Sequence, residues 1–158
     1  MQLSLSGRVV LLVAVSLGDV VTALPGETEW TPSDNQSGED PPLNMTGLAY
    51  STSLNQKLWF VDGTNYCYYE PPTNSVKLWT ATSGSMPEDL EGNYARLICT
   101  WRGRIVLSGL LKDGQNWFMS AVNDPFNFNY GPLSPSTTQA VAGYTSSLGM
   151  FGDVVTAQ

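Results

Sequence analysis

Lys57-Leu58-Trp59-Phe60, a basic residue followed by three apolar ones, is the stretch of this chain that decides its fold. The pattern also occurs as Arg-Val-Val-Leu at 8–11 and as Arg-Ile-Val-Leu at 104–107. The copies define a repeat of roughly 40–50 residues, a length typical of the strand-built blades of β-propellers. The repeat therefore predicts an all-β protein made of propeller-like blades of short antiparallel strands.

The composition fits one domain with a sizeable core, since 42% of the 158 residues are apolar. Only 13% are charged, about half the usual share. The formal charge of −7 argues against a nucleic-acid partner, whose phosphates attract basic surfaces. The chain has no histidine, which removes the commonest general base and metal ligand. We therefore expect no enzymatic activity, no cofactor and no metal.

The two cysteines, Cys67 and Cys99, each lie in an apolar and aromatic run. Two cysteines are too few for a disulfide framework, so we expect free buried thiols, with a Cys67–Cys99 bridge as the alternative. Neither belongs to a CxxC pair from which a zinc site is built.

The N-terminal residues 1–23 allow two interpretations. An apolar run at 9–15 followed by Val21-Thr22-Ala23 resembles a signal peptide with its cleavage site, in which case the protein is secreted. The run is too short to span a bilayer. Gly-Asp-Val-Val-Thr-Ala occurs at 18–23 and again at 152–157, and a strand unit explains this repetition better than a signal peptide does.

The strand and turn patterns divide the chain into four segments. Residues 1–24 are predicted to hold partial blade strands at 9–15 and 20–24, and 25–44 an acidic loop rich in Pro and Gly. Residues 45–82 are predicted to form a four-stranded blade unit, with a hairpin signal at Asp62-Gly63. Residues 94–158 are predicted to form another unit and the start of the next, with strands at 94–101, 104–110, 116–122 and 126–130. Propellers usually need four to eight blades, so about three units predict an incomplete ring that functions inside something larger.

Paired carboxylates are the one catalytic arrangement that the residue types leave open. Asp113 and Asp124 flank the strand around Trp117, and a glycosidase needs two carboxylates facing a cleft. Aspartates before Gly or Pro, including Asp62, are typical of tight turns, which is the favoured interpretation.

The acidic loop is the predicted contact surface for a partner, through Trp30, Asp34, Glu39 and Asp40. The three carboxylates lack the ordered spacing of a calcium loop. Trp30 lies outside any predicted strand, whereas the other four tryptophans, at 59, 79, 101 and 117, fall within strands and are expected to fill the core. Stacking of sugars on these aromatic residues is the alternative, and it corresponds to a secreted carbohydrate-binding module.

A longer string carries a family resemblance. Gly-Arg-Ile-Val-Leu-Ser-Gly at 103–109 is followed by Trp-Phe-Met-Ser at 117–120, Asn-Asp-Pro-Phe-Asn-Phe at 123–128 and the segment 149–157. This order resembles the blade pattern of tail and neck virion structural proteins of tailed bacteriophages, the nozzle or tail-tube-associated group. The resemblance implies a propeller-like domain with a structural, non-enzymatic role in the virion. It also implies that the partners are other virion structural subunits and that the chain forms a homo-oligomer. No membrane and no small-molecule substrate are expected.

Overall fold

The chain is all-β in a computed structural model that describes residues 2–5, 8–16, 19–35, 48–131, 133–134 and 136–143. The one helix in these ranges is the single 3-10 turn η1 (Pro71–Thr73). No helix among the described residues is long and apolar enough to cross a membrane. The predicted all-β class is therefore confirmed.

Sheet 1 is an antiparallel meander of four strands in chain order: β1 (Gln2–Leu5), β2 (Arg8–Ser16), β3 (Asp19–Ala23) and β4 (Thr31–Pro32). The strands predicted at 9–15 and 20–24 correspond to β2 and β3. The short strand β4 lies in the segment predicted as loop, because Thr31 and Pro32 pair with Thr22 and Val21 at the edge of the sheet. Proline is tolerated on such an edge strand, where no ladder hydrogen bond is lost.

Sheet 2 contains β5 (Asp34–Asn35), β6 (Tyr50–Leu54), β7 (Lys57–Val61), β8 (Tyr66–Glu70) and β9 (Ser75–Leu78). Strands β6 to β9 form an antiparallel meander, and β5 adds to β9 in parallel. The predicted unit at 45–82 thus contains the four expected strands. The second short strand in the predicted loop is β5, while residues 36–47 of that loop lie outside the described residues.

The turn between β6 and β7 is built by Asn55 and Gln56, whose φ angles are +54° and +60°. Arg102 and Gly103 occupy the equivalent turn of the next sheet, with φ angles of +48° and +75°. Two successive positive φ angles are the mark of a type I′ hairpin, whose twist matches that of paired strands. The two units therefore share their first turn as well as their sequence pattern.

Sheet 3 is a meander of β11 (Leu97–Trp101), β12 (Arg104–Ser108), β13 (Trp117–Met119) and β15 (Val141–Ala142). The prediction of a fourth strand at 126–130 of this unit is wrong. In that region β14 (Asn127–Phe128) instead pairs in parallel with β10 (Ser83–Gly84). This segment does not extend sheet 3 because Phe126 and Phe128 pack in the core between sheets 2 and 3.

Sheet 2 lies between sheets 1 and 3. On one of its faces, Leu58, Phe60 and Cys67 pack with Val13 and Val20 of sheet 1. On its other face, aromatic and aliphatic side chains pack against sheet 3; the buried members of this second core are Trp59, Val61, Tyr66, Trp79, Ala95, Ile98, Ile105, Leu107, Leu110 and Phe128. Successive residues of a strand point to opposite faces, which is why the continuous apolar run of β7 serves both cores.

Each copy of the repeated pattern has the same place in this architecture. Arg8, Lys57 and Arg104 are the first residues of β2, β7 and β12, which are the second strands of the antiparallel meanders in sheets 1, 2 and 3. Each of these strands has a neighbour on both sides. The repeat therefore marks an interior strand of each meander.

Candidate functional site

The predicted contact surface is only partly within the described residues. Trp30 lies just before β4, and 45% of its surface is exposed. Asp34 is the first residue of β5, and its backbone pairs with Ser75. Glu39 and Asp40 lie outside the described residues. Contact of a partner with this surface stays a prediction.

Arg104 is a buried cation, with 7% of its surface exposed. Its Nη1 atom donates a hydrogen bond to the carbonyl of Ser120 at 2.7 Å and another to that of Gln139. Its Nη2 atom donates to the carbonyl of Thr137 at 2.9 Å. No carboxylate pairs with it within the described part of the chain. Because three carbonyl oxygens replace its hydration, the guanidinium fastens the segment before β15 to sheet 3.

Lys57, at the equivalent position in sheet 2, is held differently. Its ammonium group lies 2.7 Å from Oε1 of Glu70 and 4.6 Å from the centre of the Tyr68 ring. Lys77 contacts the other carboxylate oxygen of Glu70. Hydrogen bonds from Lys57 and then Lys77 lower the pKa of Glu70 to about 2. The basic residue of the repeat therefore has different partners in the two units: backbone carbonyls for Arg104 and a carboxylate for Lys57.

The three turn aspartates accept hydrogen bonds within their own turns. Asp62 accepts from the backbone N–H groups of Thr64 and Asn65 at 2.8 and 2.6 Å. Asp113 accepts from the side-chain amide of Asn116, and Asp124 from the backbone N–H of Phe126. These are the local bonds that the turn interpretation predicts.

A fourth aspartate, Asp89, was not singled out from the sequence. Its carboxylate accepts hydrogen bonds from the backbone N–H groups of Glu91, Asn93 and Lys112, and from the side-chain amide of Asn93. Burial alone would raise the pKa of Asp89, but these donors lower it to about 2. The bond to Lys112 joins two loops that are remote in sequence, which no local pattern could reveal.

Three of the tryptophans predicted to lie within strands divide into two groups. Trp59 and Trp79 are 0% and 1% exposed, and their rings meet edge to face at 4.7 Å. They fill the core as predicted. Trp101 is 48% exposed and lies under the Arg102 guanidinium, 4.6 Å from its ring centre. The prediction that Trp101 fills the core is therefore wrong, because the end of β11 is open to solvent.

Both cysteines are free thiols. Cys67 is fully buried in the core between sheets 1 and 2, whereas Cys99 is half-buried on sheet 3. Burial, followed by the nearby Asp62, raises the pKa of the Cys67 thiol to about 12. The thiolate that reacts with oxidants and metals is therefore suppressed at Cys67.

A cleft of about 500 Å³ lies at the end of sheet 2. We call it the aromatic cleft. Tyr66, Trp79 and Tyr94 line it together with apolar and polar side chains; the other lining residues are Thr64, Asn65, Leu78, Thr80, Ala81, Gly84, Ser85, Met86 and Glu88. No local sequence pattern predicts this cleft, because its walls come from three separate segments.

The tyrosines of the aromatic cleft are firmly positioned. Tyr66 donates its hydroxyl proton to the carbonyl of Pro87 at 2.8 Å and accepts from the backbone N–H of Ala95 at 2.8 Å. Burial raises the pKa of this phenol well above its usual value, so it stays protonated. The rings of Tyr66 and Tyr94 stack at 4.7 Å with an angle of 14°.

A second, smaller cleft of about 260 Å³ has a neutral polar lining that includes Ser83, Asn127, Ser136 and Gln139. The described residues contain no group of three or more Cys, Asp or Glu residues placed to hold a metal ion. Among the models of protein families none matches this chain, and a comparison with curated proteins finds no significant relative.

Proposed function

We propose that this chain is a non-enzymatic structural component of a bacteriophage tail or neck, and that its sheets act as propeller-like blades packed against neighbouring subunits. The observation that carries the proposal is the shared placement of the repeat. In three successive meanders, the basic residue of the pattern begins the second strand. A chain of equivalent four-stranded units is the construction principle of propellers.

The packing of the units supports a blade-like stack. Sheet 2 buries both of its faces, one against sheet 1 and one against sheet 3. Strands β6 and β11, which begin the second and third meanders, also lie side by side, since the Thr100 hydroxyl lies 2.8 Å from that of Thr52 and donates to the carbonyl of Ser53 at 3.0 Å. First strands that converge are typical of blades arranged around an axis.

The low charge and the exposed apolar side chains of this chain favour contact with other protein subunits. Charged residues are scarce, and charge is depleted in the centres of protein interfaces. Several large apolar side chains are exposed among the described residues, including Leu24, Trp30, Leu48, Leu90 and Leu133. A neighbouring subunit that covers these side chains would remove apolar area from water, which favours association.

The direct test is the protein content of purified particles of a phage that encodes this chain. After tryptic cleavage at Lys57 and Lys77, we expect the peptide 58–77 in amounts comparable to those of other tail or neck proteins. An amber codon early in the gene should leave particles without complete tails in a non-suppressing host, and a suppressor host should restore them.

Two results would contradict this proposal. Complete, infectious particles from the amber mutant, or recovery of the chain only from the culture medium with an N-terminus at Leu24, would exclude the virion role. The second result would favour a secreted binding module instead. In that case the 1–23 segment is a signal peptide.

A further inference from the structure

We infer that the aromatic cleft is a binding site for a neutral carbohydrate, a function that goes beyond a structural role in a particle. The cleft is open to ligand, its volume of about 500 Å³ lies in the range of small-molecule sites, and its lining combines the half-buried Tyr94 with apolar side chains, hydroxyl groups and one carboxylate.

Three hydroxyl groups of the aromatic cleft are free to bond a ligand. In the described part of the chain, the hydroxyls of Thr64, Thr80 and Ser85 make no side-chain hydrogen bond, and all three residues are exposed. A hydroxyl can both donate and accept, and this dual capacity matches the hydroxyls of a sugar.

One carboxylate completes the polar lining. Glu88 is exposed and has no ion-pair partner within the described ranges. A carboxylate accepts hydrogen bonds on both oxygens, so it suits two adjacent hydroxyl groups of one ring. The lining contains no Lys or Arg, and the chain carries a formal charge of −7. An anionic ligand is therefore unfavourable here.

The apolar part of the lining suits the C–H face of a sugar ring. Leu78 is 43% exposed, and Met86 and Tyr94 are half-buried at the cleft wall. A purely apolar ligand would strip water from the three hydroxyls and the carboxylate without replacing their hydrogen bonds, at a cost in affinity. A sugar offers both kinds of surface.

The frame of the cleft is fixed before a ligand arrives. Asp62 holds the backbone of Thr64 and Asn65, and a backbone bridge joins Glu88 to Tyr94. Gly84 lies against the backbone of Phe128 so closely that a Cβ atom there would come within 2.4 Å of it. These contacts position the segments that carry the lining residues, so little ordering cost remains for binding.

The test is binding of a fixed panel of neutral sugars to the full chain, measured by titration calorimetry and saturation-transfer NMR. The panel contains methyl glucoside, methyl galactoside, methyl mannoside, N-acetylglucosamine, N-acetylgalactosamine and their β-1,4 or α-1,4 disaccharides. We expect at least one of them to bind, and the variants Glu88→Gln and Thr80→Val each to weaken its affinity by about three- to tenfold, the effect of losing one hydrogen bond.

Two matched variants serve as controls. Glu29→Gln and Thr137→Val change an exposed carboxylate and an exposed hydroxyl outside the cleft, and should leave the affinity unchanged. All four variants alter exposed side chains, so thermal unfolding should match that of the parent chain. Absence of binding to every sugar of the panel would overturn the inference. Binding that the two cleft variants leave unchanged, or an apolar peptide that occupies the cleft while sugars do not compete, would overturn it as well.

Discussion

The ammonium group of Lys57 lies 2.7 Å from the carboxylate of Glu70 on the neighbouring strand, and Lys77 contacts the same carboxylate from the next strand. One acidic side chain thus joins the three central strands of sheet 2. The side chains of Lys57 and Glu70 are 25% and 21% exposed, so water screens this group only in part. This group should make the stability of the fold sensitive to acid.

Acid should weaken the fold through Glu70. Its pKa falls from 4.5 to about 2 on folding, so its contribution to the free energy of unfolding is complete above pH 4.5 and is lost as the pH falls towards 2. Glu70→Gln should lower the free energy of unfolding at pH 7 by about 1 kcal/mol and flatten this acid dependence. Urea titrations between pH 2 and 7 measure both effects. Glu29→Gln is the control, and an equally steep acid dependence in Glu70→Gln would contradict the prediction.

Trp79 should be a major source of stability. It is almost completely buried, and its Nε1 atom donates a hydrogen bond to the carbonyl of Pro125 at 2.8 Å. Trp79→Phe removes that donor and leaves a cavity between sheets 2 and 3, so we expect a loss of about 2–3 kcal/mol in urea unfolding. Trp30→Phe, at a half-exposed tryptophan, should change stability by less than about 0.5 kcal/mol. Similar losses in the two variants would disprove this placement of the core.

Arg104 should act through the geometry of its guanidinium as well as through its charge. A lysine ammonium group at the end of a flexible chain does not reproduce the planar fork that reaches the carbonyls of Ser120, Thr137 and Gln139. We expect Arg104→Lys to cost about 2 kcal/mol.

A local measurement can separate this role from a general loss of stability. The backbone N–H of Val122 donates to the carbonyl of Thr138 in the segment that Arg104 holds, so its hydrogen exchange should accelerate in Arg104→Lys. Arg102→Lys, at the exposed neighbouring turn, should leave that exchange unchanged. Unaltered exchange of Val122 in Arg104→Lys would show that the segment is held by other contacts.

The two equivalent turns should respond to glycine in opposite ways. Gln56 has φ +60°, which costs about 1–2 kcal/mol for a residue with a Cβ atom, while glycine loses about 0.5–1 kcal/mol more entropy on folding. Gln56→Gly should therefore stabilise the chain by about 0.5 kcal/mol.

Gly103→Gln reverses the experiment at the next sheet. It introduces the strained φ and brings a Cβ atom within 2.8 Å of Oδ1 of Asn123, so it should destabilise the chain by about 1–2 kcal/mol. Thermal unfolding of both variants is the measurement. A destabilising Gln56→Gly would show that the Gln56 side chain makes a contact that outweighs its backbone strain.

Much of the fold could be predicted where a strand has a strong local signal. The strand Lys57–Val61 begins at the repeated pattern and ends at the Asp62-Gly63 hairpin signal, because an apolar run between two turns leaves little freedom in its placement. The turns at Asn55-Gln56, Asp62-Gly63 and Asn74 could be predicted for the same reason, since they depend on residues close in sequence. The site was harder to predict, because the aromatic cleft and the Asp89–Lys112 contact join segments that are distant along the chain.

The sequence by itself determined the all-β class, the repeat and the second strand of each meander, because turn chemistry and apolar runs are local properties of the chain. The tertiary structure alone decided which strand completes each sheet. Two-residue strands such as β4, β5 and β15 are too short to show a periodic pattern. Each pairs with a strand whose edge the tertiary structure brings next to it. It also decided that Phe126 and Phe128 enter the core instead of extending sheet 3, because burying two aromatic side chains outweighs a few added ladder bonds.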